Sequence, residues 1–519
     1  MNKLFNILSI AKTTSTGSRR KVNLSKNQNS SYISIVDRKW EPLIYIYAAF
    51  LFAINFVRIF DNAFWGDEGF SIALAKMSVS EMMIATAKDV HPPLYYLLTQ
   101  MLYHIFGNNG LTYHLSGLIP YALIMVMGCT VIKKYFGTIP SIVVVTMASL
   151  MKNSIKYNTE VRMYPLAAMF ILIAYVEFYR IIESNHKKSW ILFCVASLGA
   201  AYTHYYALIS VAFLYVMIIP LAVKHKEYRR GLWLSYLLTI VGYLPWLSIL
   251  LKSFGRTAQG WWLQNIPSIG GCLKFLLDYK WLVASAALSI AVYMMYQMHV
   301  LSVSEHRSES MKGKINISVD LSVPKKDAIS DELYWVLSGL ISICGTVVVG
   351  LGLSYLIRPI FLTRYLFPVS TMLYLIIGVS VSRLHFRKIW GIMLVGAILC
   401  CNIPAYIHIY KSDRDLNIET AKFVDVVAPA SDVEIVTNNV HLGWTLLRYY
   451  YPNNTSKCDS DAPMHLDTEF KDIYLIWEDE LDENEVESIK QQQYGVEPYY
   501  AGLFANGGYY YVYKLHSND

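Results

Sequence analysis

Charge is scarce in this chain of 519 residues. Asp, Glu, Lys and Arg together make up 16% of it, where a water-soluble globular domain carries about 25%. One large water-soluble domain is therefore excluded. Cysteine is scarce as well: the seven present are too few for a disulfide scaffold, and Cys129, Cys194, Cys344, Cys400 and Cys401 lie inside apolar runs. No internal repeat is visible, and no nucleic-acid motif accompanies the basic residues, so nucleic acid is not an expected partner. No secretory cleavage site follows a short apolar run, so the first such run is expected to stay as an anchor. What the chain has in abundance is apolar surface: 55% hydrophobic residues, with 40 Tyr, 21 Phe and 12 Trp, which rules out disorder.

The few charges are unevenly placed. Residues 1–42 hold eight Lys/Arg against two acids, whereas 411–519 hold eight against twenty. A basic head, an apolar middle and an acidic tail describe an integral membrane protein. A spanning helix needs roughly 20 mainly apolar residues, and eleven runs qualify: 43–60, 113–132, 138–152, 163–180, 190–203, 205–223, 231–251, 276–298, 333–356, 362–382 and 388–410. The run 92–106 is short, opens on two prolines and contains Gln100 and His104, so it is expected to lie at the interface. With the amino terminus cytoplasmic, alternation puts Lys133–Lys134, Arg180 with Lys187–Lys188, Lys224 to Arg230, the loop 301–331 and Arg383 to Lys388 inside, in accord with the positive-inside rule. The basic head is expected to serve this topology and to contact anionic membrane lipid.

The expected fold is thus an all-α polytopic membrane protein of about eleven spans. It divides into a basic cytoplasmic segment (1–42), a membrane domain (43–410) and a small extracytoplasmic α/β domain (411–519). The last of these is read from strand-like DVEIVTN, DIYLIW and GGYYYVYKL and a short helical stretch at 441–450. The loop 301–331 is polar and reads as a mobile linker. The outer face is built from 61–112, 153–162, the turn at 204, 252–275, 357–364 and the tail.

Candidate chemistry collects on that outer face. The first loop carries Asp67–Glu68, then Asp89 and His91 before a double proline. A carboxylate beside a hydrophobic slab can act as a base on a membrane-borne substrate if water is kept out, although acidic loops are common and Glu68 also suits a helix start for the amphipathic run 69–88. Glu160 and Arg162 open a span, where a structural ion pair is the plainer account. His204, among aromatic residues, is a weak candidate that packing would also explain. Arg358 and Arg364, six residues apart with Tyr365 following, can grip phosphate oxygens, as Arg at a membrane surface can also snorkel to lipid headgroups. The acids and arginines nevertheless share one side of the membrane.

The motifs WGDEGFS, DVHPPLYYLL, NTEVRMYPL, THYY, YLPW and RPIFLTRYLFP, in that order over residues 61–368, resemble those of the GT-C superfamily of membrane glycosyltransferases. The nearest resemblance is to glycosyltransferase family 39, which includes the dolichyl-phosphate-mannose protein mannosyltransferases; the lipid A aminoarabinose transferase shares the architecture. The resemblance implies a GT-C fold and transfer of a sugar, with inversion, from a polyprenyl-phosphate-linked donor at the outer leaflet of the cell membrane to an acceptor hydroxyl on protein, lipid or cell-wall glycan. It implies Asp67 as general base with Glu68 as its partner, Asp89 and His91 shaping the loop or orienting the acceptor, and Glu160 lining the site. Arg162, Arg358 and above all Arg364 would hold the phosphate. No cofactor is required by this scheme, and a divalent metal ion near Asp67 and Glu160 is left open. The pattern departs from commoner bacterial relatives at His114, where many carry Arg, and at Val161. The resemblance does not extend to the tail beyond 411. A transporter or flippase of a lipid-linked sugar is the alternative, as is a non-catalytic scaffold; both leave the one-sided clustering of acids and arginines unexplained, and transporters favour mid-bilayer charges and repeated halves.

Overall fold

A computed structural model of the protein describes residues 41–60, 63–259, 263–298, 301–307, 315–321, 330–427, 429–430, 433–439, 445–458, 466, 472–505 and 507–517. The basic head up to residue 40, residues 308–314 and 322–329 of the loop, and 441–444 of the expected helix at 441–450 lie outside these.

All eleven apolar runs are helical. In chain order the helices are α1 (Glu41–Val57), α2 (Gly66–Ala75), α3 (Val79–Lys88), α4 (Leu94–Phe106), α5 (Gly110–Met127), α6 (Thr138–Leu150), α7 (Lys152–Tyr157), α8 (Tyr164–Ser184), α9 (Lys187–Thr203), α10 (Tyr205–Lys224), α11 (Arg229–Gln259), α12 (Ile269–Leu277), α13 (Lys280–Gln297), α14 (Asp331–Leu356), α15 (Phe367–Ser382) and α16 (Arg387–Val427). Among the described residues eight helices are long and apolar enough to cross a membrane, and the pair α12–α13, bent by 87°, makes a ninth if taken as one span. α6 has 13 residues and α9 has 17, so α6 reaches only about 20 Å at 1.5 Å per residue. The run read as interfacial is α4, also of 13 residues, which begins directly after Pro92–Pro93.

The bundle is organised around α15, every residue of which is buried. At one end of the bundle Trp335 stacks between Phe136 (4.9 Å between ring centroids) and Tyr175 (4.2 Å), and its indole N–H donates to the Tyr175 carbonyl. The basic turns collect at this same end. Lys133 lies over Tyr45, Arg180 over Tyr135, Asn185 bonds to the backbone of Glu227, and Arg383 forms a two-pronged pair with Glu332.

Two expectations need correction. The loop 301–331 is not a featureless linker, because Leu301–Arg307 (β1) pairs antiparallel with Ile315–Leu321 (β2); alternation such as Ile315, Ile317 and Val319 favours a strand even within a polar stretch. The amphipathic run 69–88 is not continuous: it is broken between α2 and α3, where Ser78 caps α3 by accepting from the Glu81 N–H. The change in composition at 411 falls inside α16, which runs on to Val427.

Beyond it β3 (Glu434–Thr437), a short helix α17 (Leu447–Tyr450), β4 (Thr455–Cys458), β5 (Asp472–Trp477), helix α18 (Glu483–Gln491), β6 (Tyr494–Phe504) and β7 (Gly508–Ser517) form an α/β domain. Its five strands run in the order β4-β3-β5-β7-β6, with β3 parallel to both neighbours and β7 antiparallel to both of its own. This domain does not stand apart. Phe423, Leu446, Leu447, Phe504 and Tyr510 share one apolar cluster with Phe64, Ile72 and Ala75 of the first loop, so the sheet domain is seated directly on α2.

Candidate active site

The end of the bundle opposite the basic turns is where the motif residues meet. Helix α2 begins at Gly66, immediately after Trp65, and puts Asp67 and Glu68 in its first turn, where the helix dipole favours acids. The two carboxylates point to different places. The side chain of Asp67 remains part exposed, and its Oδ2 lies 3.1 Å from Arg364 Nη1 and 3.8 Å from Arg162 Nη2. Glu68 is buried: its Oε2 accepts the Trp65 backbone N–H at 3.1 Å and its Oε1 the Val161 N–H at 2.7 Å. It therefore ties the start of α2 to the turn 158–162.

That turn is held from several sides. Glu160 is buried and takes the Trp65 indole N–H on Oε1 at 2.7 Å, leaving Oε2 without a hydrogen bond. Burial pushes the Glu68 carboxyl up to about 8, helped by the nearby Glu160, and burial raises Glu160 too. Arg162 is buried beneath α2, where its Nη1 donates to the Asp67 carbonyl at 3.0 Å and reaches Ser71 Oγ at 3.5 Å. On the far side Gly117 of α5 packs so closely that a Cβ there would lie 2.7 Å from the Glu160 carbonyl oxygen. His114, which stands where many relatives have Arg, is buried and bonds through Nδ1 to the Thr159 carbonyl at 2.6 Å while stacking on Phe64. It props the turn from the α5 side.

Asp89 and His91 form a second unit. His91 is buried, and its Nδ1 lies 3.1 Å from Asp89 Oδ2. Burial holds the imidazole below its ordinary value, so it is neutral at pH 7 and donates Nδ1–H to Asp89. Burial presses the Asp89 carboxyl upward, but the bonds from His91 and Val90 and the charge of Arg162 outweigh this and leave it lowered. The His91 ring is 5.9 Å from His204 and 6.4 Å from Tyr365, and His204 is 5.1 Å from Tyr365. His204 accepts the Tyr206 N–H, and burial drives its imidazole well below the ordinary value. These three rings line a largely apolar cavity of about 370 Å³ together with Leu250, Phe254 and Leu353.

The structure therefore brings Asp67, Arg162 and Arg364 into direct contact, sets Glu68 and Glu160 behind them, and places His91, His204 and Tyr365 along the neighbouring cavity, with Asp89 holding His91 from outside its lining. Arg358 stands outside this contact network, forming no ion pair among the described residues, and its Nη1 is buried without a hydrogen bond. Two participants carry no role in the sequence reading. Trp65 receives the Arg364 guanidinium over its ring at 5.8 Å, and the Lys156 ammonium lies over the same ring at 5.7 Å. Trp65 stands inside the WGDE motif, and Lys156 lies within the outer segment 153–162, so position alone marks both.

Asp67 and Glu160, the pair considered for a metal ion, have different partners: Asp67 faces guanidinium groups and Glu160 takes the Trp65 indole N–H. Among the described residues no group of three or more His, Cys, Asp or Glu converges on a point. The Asp67 carboxylate faces two guanidinium groups, which put positive charge where a cation would have to sit.

Comparison with known proteins follows the same lines. The family model described as dolichyl-phosphate-mannose-protein mannosyltransferase matches residues 90–249, just under a third of the chain. No curated protein matches by sequence. Among solved structures, ArnT from Cupriavidus metallidurans in the apo state is similar with a TM-score of 0.60 at 11% identity, covering 92% of this chain and 98% of that one. The same protein bound to undecaprenyl phosphate gives a TM-score of 0.56 at 11% identity over the same shares.

Proposed function

From a GT-C glycosyltransferase fold and a mannosyltransferase-family pattern across residues 90–249, we propose that this chain is an inverting membrane glycosyltransferase. It takes a sugar from a polyprenyl-phosphate carrier and gives it to an acceptor hydroxyl at the outer face of the cell membrane. One observation carries the reading: Asp67 meets Arg364 and Arg162 at a shared point beside an apolar cavity. The buried Arg162 Nε, Arg358 Nη1 and Arg364 Nε have no hydrogen bond, and unpaired buried donors cost about 1–3 kcal/mol each. Anionic phosphate oxygens would remove that cost for the two arginines on the loop 357–364. The solved complex of ArnT with undecaprenyl phosphate supports such a carrier.

The acceptor oxygen attacks the anomeric carbon from the side opposite the phosphate while its proton passes to Asp67. The bond from that carbon to the phosphate oxygen breaks, and its electron pair leaves with the phosphate. A phosphodiester monoanion thereby departs as a monoester dianion, and Arg364 serves both ends of the step. In the ligand-free arrangement it pairs with Asp67; as charge grows on the phosphate it can turn to that charge, and a carboxylate relieved of a guanidinium partner holds a proton more readily. Arg162, buried and bonded to the α2 backbone, braces the base. Neutral His91, fixed by Asp89, orients the acceptor, and the cavity beyond it receives the first isoprene units. No step requires a metal ion, so a chelator is expected to leave turnover unchanged.

Asp67→Asn keeps the size of the side chain and removes the base. Sugar transfer by the purified protein is expected to fall by at least about 10²-fold with carrier binding retained. Arg364→Ala is expected to weaken carrier binding more than acceptor binding. Wild-type turnover in the Asn variant would overturn the assignment of the base.

A further inference from the structure

Lys156 is an exposed cation beside this site, and neither motif nor comparison gives it a role. Its ammonium lies 5.7 Å from the Trp65 ring and 5.5 Å from the Tyr157 ring, and it forms no ion pair within 4 Å among the described residues. Aromatic faces hold a cation without consuming its N–H donors as a carboxylate would. Trp65 is itself fixed at both polar ends, by Glu68 through its backbone N–H and by Glu160 through its indole N–H. The same indole carries the Arg364 guanidinium at 5.8 Å. One fixed ring thus has two cations against it, one part-buried and already shared with Asp67, the other exposed.

We propose that Lys156 is a substrate-binding residue that receives the second negative charge of the departing polyprenyl phosphate. This rests on the transfer reaction above. The donor's phosphodiester carries one charge and Arg364 with Arg358 can meet it. When the bond to the sugar breaks, the phosphate gains a second charge, and a mobile ammonium on a four-carbon stem can swing to it alongside Arg364, where the Arg162 guanidinium, held to the α2 backbone, cannot. Lys156 lies close enough to Glu160 to favour its ionised form, yet it forms no ion pair with it, so the ammonium's donors remain open to the phosphate.

The test compares two probes on the full-length protein in lipid nanodiscs. Undecaprenyl phosphate bears two charges near neutral pH, and its methyl phosphodiester bears one. Lys156→Gln is expected to weaken binding of the monoester about tenfold, in line with loss of one charge-assisted bond, and to change binding of the methyl diester by less than about twofold. Lys156→Arg is expected to restore most of the monoester affinity. Equal affinity of wild type and Lys156→Gln for the monoester would overturn the role of Lys156 alone, and so would an equal loss for both probes. Failure of the wild-type protein to bind either probe would remove the carrier reading itself, and this proposal with it.

Discussion

Glu68 and Glu160 hold Trp65 between them, the first taking its backbone N–H at 3.1 Å and the second its indole N–H at 2.7 Å. Both carboxylates are buried, and burial, with the nearby Glu160 adding to it, pushes the Glu68 carboxyl from an ordinary 4.5 up to about 8. The folded protein therefore keeps a proton there that the unfolded chain gives up. Where the folded state binds more protons than the unfolded one, stability falls as pH rises. The contribution is complete below about 4.5 and is lost by about 8. Thermal unfolding of the wild type is expected to shift to lower temperature between pH 5 and pH 8.5, and Glu68→Gln is expected to flatten that slope. Parallel curves for the two proteins would show that this pair does not share a proton.

Much of this site was legible because its chemistry sits in short, dense motifs. Asp67, Arg162 and Arg364 meet, with Glu68 behind them, though they come from three separate segments. What the sequence could not display is depth. Glu68 and Arg162 are spelled like site residues, yet the structure spends them on backbone bonds to Val161, Trp65 and Asp67. Lys156 was invisible because a lone lysine in a polar turn has no pattern until the ring beneath it is placed. The strand pair β1–β2 was hidden for the opposite reason: its alternation is diluted by Ser, Asn and Glu. The helical runs were read correctly because apolar length is the strongest periodic signal a membrane chain carries, whereas the 13-residue α6 shows that an apolar run and a full crossing are different things.

The seating of the sheet domain on α2 depends on a glycine. A Cβ added at Gly69 would lie 2.7 Å from Thr445 Oγ1, 2.9 Å from Thr445 Cβ and 3.1 Å from Leu446 Cδ2. Only a residue without a side chain admits that approach, two residues from Asp67 in the same helix. Gly69→Ala is expected to destabilise the protein by roughly 1–3 kcal/mol, the usual cost of overpacking, and to lower turnover by displacing the helix that carries the base. Thr445→Gly in the same chain removes both clashing atoms and is expected to recover most of the lost stability. A double variant no better than Gly69→Ala, measured by thermal unfolding in detergent, would mean that the contact is not what holds the domain in place.

The orientation of the whole protein can be argued from which groups share an end. Lys133, Arg180, Asn185, Glu227 and Arg383 contact one another's neighbourhoods at one end of the bundle. The opposite end holds Asp67 with Arg364, Arg58 with Asp413, Asp89 with Ser253, and Lys152 with Asp278. Basic turns remain on the cytoplasmic side, so the acid–arginine cluster and the sheet domain seated on it are expected outside, where lipid-linked sugars are consumed. Ser71 lies inside the first outer loop but is buried, so it is a poor reporter, and exposed positions serve better. In a cysteine-free background, Glu497→Cys on β6 is expected to react with a membrane-impermeant maleimide applied to intact cells. Lys187→Cys at the start of α9 is expected to react only after permeabilisation. The reverse pattern would put Asp67 on the cytoplasmic face, where the carrier would have to be met from the other leaflet, and the transfer mechanism would need a different donor.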